Sequence, residues 1–181
     1  MASDRTYLYW DACVFSSYVG EHPDRADTIL EVWEQVARQH PRKAIITSSL
    51  SILEVAFASG DGSGVRDPER ERQIDALWRE PTIYVADASQ DLMYLARGLM
   101  RAARDKGWSL KPADALHLAT AQWINQKIGY VQEVHTYDDK WVKMSELVDG
   151  LKICEPYVAQ PRLIRDSGES KGESEGDSSQ G

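Results

Sequence analysis

The chain has 181 residues, with 21 Lys and Arg against 29 Asp and Glu, a net charge of −8 and 42% hydrophobic residues. That length suits one domain with a substantial core. The acidity excludes a protein whose whole surface attracts polyanions, and no apolar run nears the roughly 18 residues needed to span a bilayer.

The opening residues, MASDRTYLYWD, lack the basic flank and apolar stretch of a secretory signal. The two cysteines, Cys13 and Cys154, lack metal-type spacing and read as buried thiols rather than a bridge. A cytoplasmic setting is expected.

In chain order, residues 6–10 are β-rich and end at Asp11. Residues 28–39 place Ile29, Leu30, Val32, Trp33 and Val36 at helical spacing, and Pro41 stops the helix. Residues 44–47 (AIIT) form a short strand. Ser49 or Ser51 caps a helix carrying Ile52, Leu53, Val55, Ala56 and Phe57. A loop over 60–64 leads to a polar amphipathic helix over 68–79, a strand over 82–86 and a helix over 89–106. The face of that helix holds Leu92, Leu95, Ala96, Leu99 and Met100, and Gly107 ends it. Pro112 opens a further helix to about residue 128, and strands follow at 131–136 and 151–154.

Residues 165–181 hold five acids and two bases and no large apolar side chain. They carry −3 of the −8, leaving the body at −5. Such a composition cannot offset the entropy of ordering, so a domain over 1–160 with a disordered acidic tail over 161–181 is expected. Strands separated by helices imply a three-layer α/β/α sandwich with a parallel sheet of four or five strands.

Four carboxylates stand in apolar surroundings: Asp11, Glu54, Asp114 and Asp138. Two carboxylates about 4 Å apart repel by roughly 4 kcal/mol at an effective dielectric of 20. If these acids converge, they stay partly protonated or recruit a hard cation, and oxygen ligands favour Mg²⁺ or Mn²⁺ over Zn²⁺. Each acid also has a bland reading. Asp11 can cap a following helix, Asp114 can favour a helix dipole, and Asp138 can be a turn residue. Ligands of open parallel sheets bind beyond the carboxyl ends of the strands, where Asp11 and Asp138 fall.

From Tyr7 to Cys154 the chain resembles the PIN-domain family, especially the VapC-type toxins of bacterial toxin–antitoxin pairs. YWDACVF is similar to the family's first strand and its acid, here Asp11. SILEV resembles the segment of the second acid, Glu54, and KPADALHLATA that of the third, Asp114. Thr136, Asp138 and Trp141 resemble the fourth motif; the adjacent Asp139 leaves the ligand open to a shift of one residue. Cys13 departs from the small polar residue, often Asn, of the family, and is expected to loosen hydrogen bonding around the site.

The resemblance implies an endoribonuclease that uses Mg²⁺ or Mn²⁺, one ion or two. Asp11 and Asp114 would be direct ligands, Glu54 and Asp138 direct or water-mediated ones, and Thr136 would orient a carboxylate. It also implies an RNA substrate, a homodimer and a small antitoxin partner. The alternative is a PIN-like module that binds RNA or protein without catalysis. A phosphoryl-transfer domain with an aspartyl nucleophile ranks last, because no second acid stands near Asp11.

His117, three residues after Asp114, reads as a packing residue with local hydrogen bonds rather than a ligand or base. His22, His40 and His135 show no partner pattern. Arg97, Arg101, Arg104, Lys106 and Lys111 form the best basic stretch, either a solvated face or a ridge contacting RNA phosphates. Trp108 beside it is a candidate for base stacking.

Overall fold

The computed structural model describes residues 5–55 and 67–158. The expected loop at 60–64, Ala56, Phe57 and the acidic tail lie outside these residues.

Five strands form one parallel sheet: β1 (Thr6–Trp10), β2 (Lys43–Ser48), β3 (Ile83–Ala86), β4 (Tyr130–His135) and β5 (Ile153–Cys154), in the order β3-β2-β1-β4-β5. Helices α1 (Ala12–Val19), α2 (Ala26–Gln39), α3 (Leu50–Val55), α4 (Pro68–Leu77), α5 (Gln90–Asp105) and α6 (Pro112–Lys127) connect them, with a 3₁₀ helix over Asp139–Leu147 before β5. This is the expected three-layer α/β/α sandwich. No helix among the described residues is long and apolar enough to cross a membrane.

Alternation along β1 builds two cores. Successive strand side chains point to opposite faces. Tyr7 and Tyr9 join the layer of α5, α6 and the 3₁₀ helix, whereas Leu8 and Trp10 join the layer of α1, α2 and α4. Both faces of β1 are covered, as its unbroken apolar run TYLYW requires.

The helices follow the same logic. In α2, Ile29, Val32 and Val36 are buried while Leu30, the next residue round, is exposed. In α5, Leu92, Ala96, Leu99 and Ala103 face the core, and the Ser89 hydroxyl caps the helix at the Leu92 N–H. α6 is buried almost all round, from Ala115 through Gln122, and its small residues let it sit against β2, β4 and α5.

Two elements were not assigned from the sequence. ACVFSSYV after Asp11 forms α1, and polar residues 139–147 form the 3₁₀ helix, which buries Trp141 and Met144. The start of α3 is also set differently. The Ser48 hydroxyl accepts from the Leu50 N–H, Ser49 Oγ accepts from the Ala88 N–H, and buried Ser51 bonds Thr47 Oγ1 at 2.7 Å. Thr47 also donates to the Trp10 carbonyl at 2.7 Å, which ties α3 to the end of β1.

Candidate metal centre

β1 is central, and its C-terminal end delivers Asp11. β4 lies beside it with Trp10 opposite His135, so Asp11 and Thr136 emerge side by side. β2, on the other flank of β1, leads into α3 and Glu54. Asp114 stands in the first turn of α6, two residues after Pro112, and Asp138 caps the 3₁₀ helix at the Lys140 N–H. Asp11, Glu54, Asp114 and Asp138 all line one cleft of about 700 Å³, together with Cys13, His22 and Trp141. Asp139 is exposed and is not among its lining residues.

Asp11 is the most enclosed of the four acids, with 7% of its surface exposed. Its Oδ1 accepts from the Ala12 N–H at 2.7 Å, capping α1. Its Oδ2 accepts from the Thr136 hydroxyl at 3.0 Å and the Cys13 thiol at 3.0 Å. The capping reading and the site reading of Asp11 therefore describe one carboxylate. The Thr136 hydroxyl, a donor to this carboxylate, also accepts from the Asp138 N–H at 3.1 Å.

Cys13 does not loosen this network. Its sulfur lies 3.3 Å from Thr136 Oγ1 and accepts from the Tyr137 N–H. Burial, and then the charge of Asp11, push the thiol up to about 12. It stays protonated and holds the carboxylate as a donor. Cys154, the second thiol, is also free.

The reading of His117 as a locally bonded packing residue is corrected. The ring is 1% exposed, but Nε2 lies 2.8 Å from Glu54 Oε2 and 3.6 Å from Asp11 Oδ1, and Nδ1 lies 2.8 Å from Tyr9 Oη. Its partners are 63 and 108 residues distant in sequence. The spacing from Asp114 to His117 placed both on one helical face; the long-range partners left no mark in the sequence.

The donor set fits a hard divalent cation. The acids repel one another: burial, then the charges of Asp11 and Asp138, raise the Asp114 carboxyl above its ordinary value, with Lys111 and His117 opposing. Asp11, Glu54 and His117 each offer an atom within 4.8 Å of the others. Trp141 Nε1 and His22 Nδ1 are buried atoms of the cleft lining without a partner among the described residues, as in a cleft that receives polar guests.

A second cluster, Glu133, His135 and Cys154, has similar spacing and a different character. Trp10 Nε1 donates to His135 Nδ1 at 3.1 Å. An indole nitrogen is only a donor, so Nδ1 must be bare and Nε2 carries the proton, donated to Glu133 Oε2 at 3.0 Å. Nε2 thus has no lone pair for a metal. Glu133 Oε1 is already held by Lys152 and Tyr157, each at 2.6 Å. Burial alone would raise the Glu133 carboxyl, but the hydrogen bonds from His135, Lys152 and Tyr157 outweigh it and bring the carboxyl down to about 2. A depressed carboxylate contributes stability above its unfolded value that is lost on acidification. The urea midpoint is therefore expected to fall as pH drops from about 4.5 towards 2, and Glu133→Gln should flatten that slope.

The basic stretch is only partly a ridge. Arg97, Arg101 and Arg104 share one face of α5 and line a shallow groove with Met100, which continues past Arg104 to Trp108. None of them lines the acidic cleft. Lys106 pairs with Glu146 at 2.9 Å, and Lys106 and Lys143 lie 5.0 and 5.5 Å from the centre of the Trp108 ring. Lys111, just before α6, is close enough for its charge to act on Asp114.

The family model of the PIN domain matches residues 8–147, which include all four acids. The chain belongs to the PIN domain family. This PIN domain is similar in fold to VapBC2 from Rickettsia felis, solved bound to a DNA fragment from its promoter (TM-score 0.58, 16% identity, 82% of this chain and 96% of that one). It is similar to VapC20 of Mycobacterium tuberculosis, a Sarcin-Ricin loop cleaving toxin (TM-score 0.55, 16% identity, 77% and 94%). It also resembles a toxin–antitoxin complex from Klebsiella pneumoniae (TM-score 0.52, 22% identity, 83% and 98%). A search of curated proteins by sequence gave no match.

Proposed function

We propose that this PIN domain is a divalent-metal-dependent endoribonuclease, the toxin of a type II toxin–antitoxin pair. The observation that carries the reading is the convergence of Asp11, Glu54, Asp114 and Asp138 on one cleft at the carboxyl end of the sheet. The likeness of the fold to VapC toxins, one of them a cleaver of the Sarcin-Ricin loop, supports the choice of RNA and of an antitoxin partner.

The four carboxylates would hold Mg²⁺ or Mn²⁺. Such an ion neutralises charge on a phosphodiester and lowers the pKa of a water that attacks it. The chain's own residues supply the frame. Thr136 and Cys13 fix the orientation of Asp11. The half-buried Asp114 and Asp138 flank it, and burial with the charges of Asp11 and Asp138 raises the Asp114 carboxyl, a cost that a bound cation would offset. The Trp141 indole N–H, with no acceptor among the described residues, suits a phosphate oxygen. A homodimer in the cytoplasm completes the reading.

Cleavage of labelled RNA by the full chain tests it. Activity with Mg²⁺ or Mn²⁺, none in EDTA, and loss in Asp114→Asn are expected. Binding of RNA without cleavage under any metal would favour the alternative, a non-catalytic RNA-binding module.

The α5 groove is the proposed path for the RNA backbone, through Arg97, Arg101 and Arg104, with Lys106 and Lys111 beside it. Arg97, Arg101 and Arg104 have no salt-bridge partner among the described residues. Arg101→Glu is expected to weaken RNA binding and to lower the salt slope of the affinity by about 1, with kcat little changed. Unaltered affinity in titrations from low to high salt would take the groove off the substrate path.

A further inference from the structure

We propose that His117 is a nitrogen ligand of the cation site formed with Asp11 and Glu54, and that it tilts this site towards Mn²⁺ over Mg²⁺. The inference rests on the reading of the cleft as a cation site and adds a donor that a cluster of carboxylates alone lacks.

Two buried histidines at the same end of the sheet make the case by contrast. His135 faces a donor-only indole at Nδ1, which fixes its proton on Nε2. His117 faces a phenol instead. A phenol hydroxyl both donates and accepts. With no cation, Tyr9 donates to Nδ1 at 2.8 Å and the Nε2–H is given to Glu54 at 2.8 Å. The other arrangement becomes satisfied once a cation takes the place of the proton between Nε2 and Glu54. The Nδ1–H donates to Tyr9 Oη, and the phenol turns its proton towards Thr120, whose hydroxyl is near enough to act on the phenol. Thr120 Oγ1 gives its own proton to the Leu116 carbonyl at 2.7 Å, so its lone pairs are available.

That second arrangement bares the Nε2 lone pair in the acid cluster. Nε2, Glu54 Oε2 and Asp11 Oδ1 then converge as one nitrogen and two oxygens, at separations of 2.8 and 3.6 Å from the nitrogen. A metal-bound histidine characteristically donates its other ring N–H to a fixed partner, and Tyr9 is positioned for that part. The ring has no freedom to swing away, because it is 1% exposed and sits between Tyr9 and Trp141. Mg²⁺ is bound through carboxylates and waters and gives up those waters reluctantly, whereas imidazole suits softer transition ions. An imidazole in the donor set therefore favours Mn²⁺.

The test is Mn²⁺ binding to the full chain without RNA. Pulsed electron paramagnetic resonance of the Mn²⁺-loaded protein should show nitrogen coupling. His22 also lines the cleft, so the coupling must survive in His22→Gln and vanish in His117→Gln. Calorimetric titration should show Mn²⁺ affinity lowered about tenfold or more in His117→Gln, and Mg²⁺ affinity changed less. Tyr9→Phe leaves the imidazole in place and removes the acceptor for Nδ1–H; it should weaken Mn²⁺ binding while keeping the coupling. Bound Mn²⁺ without nitrogen coupling, or coupling lost in His22→Gln, would overturn the role of His117 and leave the nuclease reading standing. No Mn²⁺ bound at all would overturn both.

Discussion

Asp11→Asn is expected to reduce metal-dependent RNA cleavage by about 10²–10³-fold, the loss that several kcal/mol of transition-state charge stabilisation represents. Asp11 is the acid on which the others are built. It ends the central strand, caps α1 through Oδ1 and receives the hydroxyl of Thr136 and the thiol of Cys13 at Oδ2. Asparagine preserves the size and one accepting oxygen. The Thr136 hydroxyl and the thiol can rotate to accept from the amide, so the fold should survive. What disappears is the negative charge at the most enclosed position in the cleft. Single-turnover cleavage at saturating Mn²⁺, with circular dichroism to verify folding, measures the effect. A folded variant within threefold of the parent rate would remove Asp11 from the chemistry.

Trp10→Ala should destabilise the protein by about 3–5 kcal/mol, a large share of the 5–15 kcal/mol typical of a domain. The ring is completely buried and packs against Phe15, Trp33 and His135. Truncation leaves a cavity and also removes the indole N–H that donates to His135 Nδ1. Trp10→Phe separates the two losses. It keeps an aromatic ring in the same core and leaves the imidazole nitrogen unsatisfied, at a cost of about 1–3 kcal/mol. Urea denaturation of the three proteins reads both. Damage should reach the site too, because the carbonyl of His135 holds the backbone N–H of Asp11 at 3.1 Å. A Phe variant as stable as the parent would mean that the indole–imidazole bond contributes nothing net.

Much of the architecture was legible from pattern alone. TYLYW, AIIT and TIYVA are short apolar runs bounded by turn residues, and each became a strand within a residue or so of its expected bounds. The long helices announced themselves by spacing, as Leu92, Ala96 and Leu99 show in α5. The convergence of four acids followed from topology, because parallel strands put their carboxyl ends on one side.

What escaped depended on register and on distant partners. ACVFSSYV has too little polar contrast to be told from an extended segment, and became a helix because Asp11 caps it. The span 139–147 drew no element from its pattern, because its two buried side chains, Trp141 and Met144, are spaced for a 3₁₀ helix that tertiary packing imposes. The Trp10–His135 bond needs the pairing of β1 with β4, including the irregularity between Tyr7 and Leu8, which no local signal encodes. His117 was misjudged for the same reason: its neighbours in the helix are apolar, and its partners come from β1 and α3. Cys13 was judged by residue type. In place, a protonated thiol is an adequate donor to a carboxylate.

The strand order carries a temporal consequence. The middle strand is the first to be synthesised, yet its neighbour β4 arrives more than a hundred residues later, and Asp11 meets Thr136 across 125 positions of chain. A growing polypeptide therefore cannot assemble the cleft until nearly all of the domain has left the ribosome.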